Sequence, residues 1–412
     1  MRFLFVNLGH AYAHFFLLLY PAVVVVLQAR GGGGYGELLL PSTVGFVCFA
    51  AGTLPAGWLG DSWSRPAMLA LQFFLLGAGA LLAGGRADAG LLLPGLALLG
   101  LGASIYHPVG LPLAAETGAA DGHGVGRALG VNGVWGNLGV AAAPLLGVWL
   151  AGRWGWQSAF LLPGALSLAT GLAFLPLCRR WSREPQRAQA PQDSGAAGIA
   201  DARERRRITI FLLASSLIGG LVFASVTVAL PEMLAEVSAE GSAEGSTLGA
   251  AGLASLIFAL SAFAQLPAGR AVDRWGARRL VLLMALPQIA LLVLLGLVGG
   301  PGGGWLAVPS LVLLVPLIFG EIPVYDSLAV RAAETRWRAR FFAAIYLVSL
   351  GVSATAVPVV AWLHDAGSGF RPLFLLLAAA VFGVVLAALA LLPAARPQAA
   401  AAMAQTKRAR SI

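Results

Sequence analysis

The sequence predicts an all-α integral membrane protein with twelve transmembrane helices in two pseudo-symmetric six-helix bundles. Three observations carry that prediction. Of the 412 residues, 58% are hydrophobic and only 11% charged, and the mean hydropathy is +0.83. Apolar stretches of spanning length follow one another along the whole chain. A polar segment and a repeated motif divide the chain into two similar parts. Soluble domains carry roughly 25% charged residues, so lipid is the solvent that fits this composition.

A spanning helix needs about 20 mostly apolar residues. Such segments lie near 3–28, 40–60, 66–85, 90–115, 127–151 and 155–177, and again near 208–234, 247–268, 279–299, 305–331, 339–363 and 370–393. Glycine, proline and charge mark the gaps, as at 31–34 and 299–304. The first segment opens like a signal peptide, but Asn7, His10 and His14 interrupt its apolar run and no small-residue cleavage site follows. It is therefore expected to stay as the first span. The predicted domains are 1–177, a cytoplasmic linker 178–207, 208–393 and a cytoplasmic tail 394–412.

Orientation follows from the basic residues, which accumulate on the cytoplasmic side of membrane proteins. With a cytoplasmic N-terminus, all of the 27 basic residues fall on that side except Arg30, Arg86, Arg153 and Arg371. The prediction is a multi-pass protein of the inner membrane with both termini cytoplasmic. The net charge of +9 does not imply nucleic acid, because it sits in short clusters between spans and in the linker, where it suits anionic lipid. Cys48 and Cys178 suggest neither a disulfide framework nor a metal site, and no cofactor is expected.

The halves share a motif. Leu54, Pro55, Ala56, Gly57 and Asp61 recur at the same spacing as Leu266, Pro267, Ala268, Gly269 and Asp273, and Pro21 is matched by Pro231. Whole-bundle repeats are a mark of transporter folds. Gly269, Asp273, Arg274, Gly276, Arg278 and Arg279 resemble the signature loop after the second helix of each half in major facilitator superfamily transporters. The first copy keeps Gly57, Leu59, Asp61 and Arg65, with Ser62 and Ser64 where a basic residue and a glycine are usual. The resemblance implies a conformational latch, with Asp61 facing the start of the eleventh helix and Asp273 that of the fifth. A carboxylate is favoured near a helix N-terminus by about 0.3–1 kcal/mol. Ordinary solvated turns are the alternative reading.

In the fifth span Gly130, Gly139, Ala143, Pro144 and Gly147 resemble the glycine-rich motif of proton-driven exporters in this superfamily, with Ala143 in place of one glycine. The alternative is a generic small-residue packing seam. A narrower resemblance covers the fourth and fifth spans. Ser104, Ile105, Tyr106, His107 and Pro108, then Gly136, Asn137 and Pro144, are similar to fosmidomycin-resistance-type efflux proteins. Those proteins usually have an acid after the His-Pro pair, where this chain has Val109.

Ionisable side chains at bilayer depth are costly and usually face a cavity. His10 and His14 share one face of the first span, with Asn7 a turn earlier; His107 lies in the fourth span, and Glu321, Tyr325 and Asp326 in the tenth. By resemblance, the first, fourth, seventh and tenth helices line the central path. Histidine changes charge near neutral pH, which suits proton exchange or substrate contact. Asp326 has pairing with Arg331 as its alternative. Asn132, Asn137, Trp135, Gln265 and Gln288 are further candidates, and Glu116 and Glu334 are assigned to a cytoplasmic charge network. The expectation is a secondary active transporter, proton-coupled and exporting a small organic molecule, working as a monomer. An importer, uniporter or lipid mover of the same fold is the alternative. An enzyme is not expected, since the sequence shows no metal-spaced His/Cys/Asp set and no phosphate-binding loop.

Overall fold

The computed structural model describes residues 1–85, 89–120, 125–183, 201–239, 246–298, 304–333 and 338–393. Among them, twelve helices are long and apolar enough to cross a membrane, as the sequence predicts. The first half contains α1 (Arg2–Ala29), a short α2 (Tyr35–Leu39) leading into α3 (Ser42–Ser62), and α4 (Arg65–Gly84). Its fourth span is α5 (Leu92–Ser104) continued by α6 (Tyr106–Ala120), followed by α7 (Val125–Trp154) and α8 (Ser158–Trp181). The second half contains α9 (Ala202–Ala239), α10 (Ser246–Trp275), α11 (Ala277–Val298), α12 (Gly304–Ala332), α13 (Arg338–Leu363) and α14 (Arg371–Leu391). Helix thus extends into both ends of the predicted 178–207 linker. Its middle, 184–200, and the tail 394–412 lie outside the described residues.

Tryptophans mark both ends of the bundle. Trp58, Trp63 and Trp275 are exposed at the linker end, and Trp154 and Trp362 at the opposite end. Indole rings favour the interface between hydrocarbon and water, so two separated belts fit a body that spans the bilayer. Between them, exposed side chains such as Leu166, Leu172, Leu260 and Leu386 are apolar. In water they would be a liability; in lipid they match their surroundings.

Lipid is as apolar as leucine, so helices associate here mainly through close packing. The fifth span shows how. A Cβ on Gly139 would lie 2.1 Å from the Ala11 carbonyl oxygen, and one on Gly136 would meet the His10 ring at 2.5 Å. Gly147 faces Leu19 and Ala22, and Ala143 is fully buried. These small residues seat α7 directly on α1. Gly130 has nothing within 4 Å and takes no part in that seam.

The repeat is visible in the packing. Gly57 of α3 faces Pro108 of α6 at 3.2 Å, and Gly269 of α10 faces Pro323 of α12 at 3.8 Å. The two copies of the loop then diverge. Gly276 turns with φ +78, a left-handed conformation suited to glycine. Ser64, its counterpart, is extended at φ −166 and caps α4 by accepting from the Ala67 amide at 3.3 Å. The serine in the degraded copy replaces a left-handed turn with an N-cap.

Across the molecule, α3 packs on α13, α7 on α10 and α1 on α9. Hydrogen bonds join the halves on the side away from the linker. Tyr35 donates to the Val228 carbonyl at 3.3 Å, the Gly36 amide to Asp365 at 3.1 Å, and the Leu145 amide to Ser255 Oγ at 3.0 Å. The Gln28 amide lies against the Glu232 carboxylate. His364 bridges Glu236 at 2.8 Å and Asp365 at 3.0 Å, bracing the residue that receives Gly36.

Candidate functional site

Residues of the first half that the sequence singles out come together around Asn132 of α7. Its Nδ2 donates to Asn7 Oδ1 at 2.8 Å and to the Tyr106 hydroxyl at 2.6 Å. Its backbone carbonyl lies 2.8 Å from His10 Nδ1. A carbonyl can only accept, so His10 carries a proton on Nδ1, and in the neutral ring Nε2 is then the nitrogen with the lone pair. The His10 ring stacks on Tyr106 with centroids 4.3 Å apart and planes 12° from parallel. Asn7, His10, Tyr106 and Asn132 are all buried, and these bonds pair them with one another, while Asn132 Oδ1 has no partner among the described residues.

Local sequence explains the placement. Asn7, His10 and His14 recur at intervals of three and four, which stacks them on one helical face. In the fourth span Pro108 has no amide to give the Ser104 carbonyl, and the helix breaks between Ser104 and Tyr106. The break lets Tyr106 and His107 point at α1. His107 lies 5.5 Å, centroid to centroid, from both His10 and His14, which are 5.1 Å from each other. One ligand-type atom from each of the three histidines lies within 4.8 Å of the others. No such set is spaced for a metal along the chain, and this one forms only in space. The third member comes from another helix, distant in sequence, so spacing along the chain could not reveal it.

The second half holds two carboxylates in different settings. Glu321 is buried at 8% exposure. Gln288 Nε2 donates to its Oε1 at 2.7 Å, and the Tyr325 hydroxyl to its Oε2 at 2.8 Å. Both partners are neutral. Glu321 stands two residues before Pro323 as Tyr106 stands two before Pro108, so each half places a polar group just ahead of the proline that faces its motif glycine. Asp326 instead bonds to Tyr346 of α13. Tyr346 in turn stacks on His107 across the halves, with centroids 5.3 Å apart.

Glu321, Tyr325, Asp326, His10, His14, His107 and Asn132 are candidates already in the sequence, with Gln288 a weaker one. Tyr346 is not, because no motif surrounds it. Tyr35, Glu232, Glu236, His364 and Asp365, at the end away from the linker, emerge in the structure. Glu232 and Glu236, four apart after Pro231, were a readable signal there.

At the linker end, Arg65 pairs with Asp61 at 2.9 Å and Glu116 at 2.5 Å, tying α3, α4 and α6 together. The side chains at the start of α13 and that of Asp273 lie outside the described residues. The cross-half contacts expected of Asp61 and Asp273 therefore stay a proposal. In the second copy Arg274 closes α10, and Arg278 donates to the Leu392 carbonyl at 3.4 Å.

Beside the paired bundles and their buried polar clusters, the sequence comparison decides the family. The profile of the Major Facilitator Superfamily matches residues 8–352. The chain belongs to the major facilitator superfamily. It is a multi-pass membrane transporter rather than an enzyme. No individually curated protein matches it significantly.

Solved major facilitator structures agree on the fold. The nucleoside transporter NupG superposes with a TM-score of 0.66 at 13% identity, covering 95% of this chain and 98% of NupG. The xylose transporter XylE from E. coli, inward open, gives a TM-score of 0.72 at 16% identity, covering 96% of each chain. In a partially occluded inward-open form XylE gives 0.68 at 16% identity, covering 95% of this chain and 98% of XylE. Such identities speak for the fold and leave the cargo to this chain's own residues.

Proposed function

We propose that this transporter is a proton-coupled exporter of a small organic molecule, working as a monomer by alternating access in the inner membrane. One observation carries the coupling. Glu321 is a buried carboxylate in the tenth span, held by Gln288 and Tyr325 with no cation among its described partners. A charge there is costly in lipid, and proton uptake removes it. The side chain is therefore a carrier whose charge state can be tied to which end is closed.

Direction rests on the fifth span. Its glycine-rich stretch resembles that of proton-driven exporters, and Gly139 and Gly147 seat α7 on α1 at the contact a rocking half must preserve. The first-half path is lined by neutral amides, a phenol and imidazoles, which disfavours a highly charged cargo. Orientation rests on the basic residues. Cysteines placed at Gly32 should react from outside intact cells, and those at Ser62 should not.

The test is transport by protein in proteoliposomes with and without an imposed pH gradient, on substrates chosen by metabolite and susceptibility profiling of deletion and overexpressing strains. Gradient-driven movement outward, in the cell's frame, is expected. Uptake down the cargo's own gradient, indifferent to pH, would mean a uniporter or importer.

A further inference from the structure

We propose that His10, His14 and His107 form a three-imidazole binding site for a borderline transition-metal ion of the Zn²⁺ class, with one coordination position left open.

Four features of the cluster lead there. First, one ligand-type atom of each histidine already lies within 4.8 Å of the others. Tetrahedral zinc with Zn–N bonds of 2.0–2.1 Å needs nitrogens about 3.3 Å apart. Side-chain rotation of His14 and His107, which are only partly buried, can supply the closure of about 1.5 Å.

Second, His10 is prepared as a ligand. Its Nδ1 proton is committed to the Asn132 carbonyl at 2.8 Å, so Nε2 presents a lone pair. Metal-bound histidines commonly hold their second nitrogen in this way. Asn132 is itself fixed by its bonds to Asn7 and Tyr106, so the orientation is braced through two helices.

Third, His107 Nδ1 is buried without a hydrogen-bond partner among the described residues. An unsatisfied buried polar atom costs about 1–3 kcal/mol, and a ligand supplied from the path would satisfy it. His14 likewise has ring neighbours but no protein hydrogen bond among the described residues.

Fourth, the donor set selects the ion. Ca²⁺ and Mg²⁺ need oxygen ligands, and the cluster offers nitrogens. Imidazole suits zinc, copper, nickel and iron. Three protein ligands leave a position for water or for a donor atom of the cargo. Among the described residues Asp326 is linked to the cluster indirectly, through the Tyr346 ring that stacks on His107.

The site is tested by metal alone, independently of transport. Full-length protein with a non-histidine affinity tag, stripped by chelator, is titrated with Co²⁺ and followed by visible absorption, then challenged with Zn²⁺. One equivalent per chain is expected, with the intense bands of a four-coordinate ion, displaced by zinc. His14→Gln and His107→Gln should each weaken binding by about tenfold or more, and Glu321→Gln should not. His14 makes no hydrogen bond among the described residues, so its substitution is expected to leave folding intact, which the thermal unfolding midpoint checks. Absence of a band, a six-coordinate spectrum, or binding unchanged in both histidine variants overturns the proposal. A proton-coupled exporter without a metal, or a metal site in an uncoupled transporter, would each be recognised, because the titration uses no gradient.

Discussion

His107 of α6 and Tyr346 of α13 stack across the two halves, with ring centroids 5.3 Å apart and planes 23° from parallel. Tyr346 also bonds to Asp326, so one aromatic ring belongs to both halves. Rocking the halves must either break the stack or pull Tyr346 from Asp326. Tyr346→Phe keeps the ring and removes the hydroxyl. A hydrogen bond to a charged group is worth about 1.5–3 kcal/mol, so exchange rates should change by roughly 10–100-fold with insertion unchanged. Tyr346→Ala, which loses the stack as well, should be more severe. Wild-type exchange by both variants would remove this contact from the switching cycle.

The seam between α1 and α7 offers a contrast at matched chemistry. Gly139→Ala places a methyl 2.1 Å from the Ala11 carbonyl oxygen, whereas Gly130→Ala meets nothing within 4 Å. Overpacking typically costs about 1–3 kcal/mol. Gly139→Ala should lower the midpoint of thermal unfolding in detergent and Gly130→Ala should leave it unchanged or slightly raised. Equal behaviour would mean that α1 and α7 shift apart freely.

The Arg65 triad at the linker end is partly exposed, with Asp61 at 71% and Glu116 at 41%. Pairs of that kind contribute about 0–1 kcal/mol each. Asp61→Asn and Arg65→Ala should therefore barely move thermal stability while altering turnover, if the loop acts as a latch. Accessibility of a reporter cysteine at Ser62, read alongside transport, checks it. A shift in unfolding with no change in turnover would make the triad a structural brace.

The helices were legible because lipid imposes a simple rule, a run of apolar residues about 20 long. The two-half plan was legible because the Leu54–Gly57 stretch repeats as Leu266–Gly269. Individual polar residues were legible by the same rule inverted, since Glu321 and His107 stand out in apolar runs. Their partnerships were not. His107 joins His10 through a break at Ile105 that depends on how α5 and α6 pack, and Tyr346 finds Asp326 only when α13 lies beside α12. The break in the fourth span was itself hidden, because 90–115 reads as one continuous apolar segment.

Coupling is the strongest demand on the proposed function. Exchange of one proton per cargo molecule draws about 1.4 kcal/mol from each pH unit, enough for roughly tenfold accumulation. Glu321 is placed to carry that proton, because its bonds come from an amide and a phenol, groups that stay neutral when it gains or loses charge. Glu321→Gln keeps the shape, accepts from Tyr325 through the amide oxygen, and cannot change charge. The variant should fold and insert, exchange cargo down its gradient, and fail to concentrate it when a pH gradient is imposed. Gln288→Leu, which removes one neutral partner but leaves the carboxyl, should keep coupling while shifting its pH dependence. Proteoliposome transport with and without the gradient measures both. Accumulation by Glu321→Gln at the wild-type level would move the proton to another group, with the imidazoles of His10, His14 and His107 next in line.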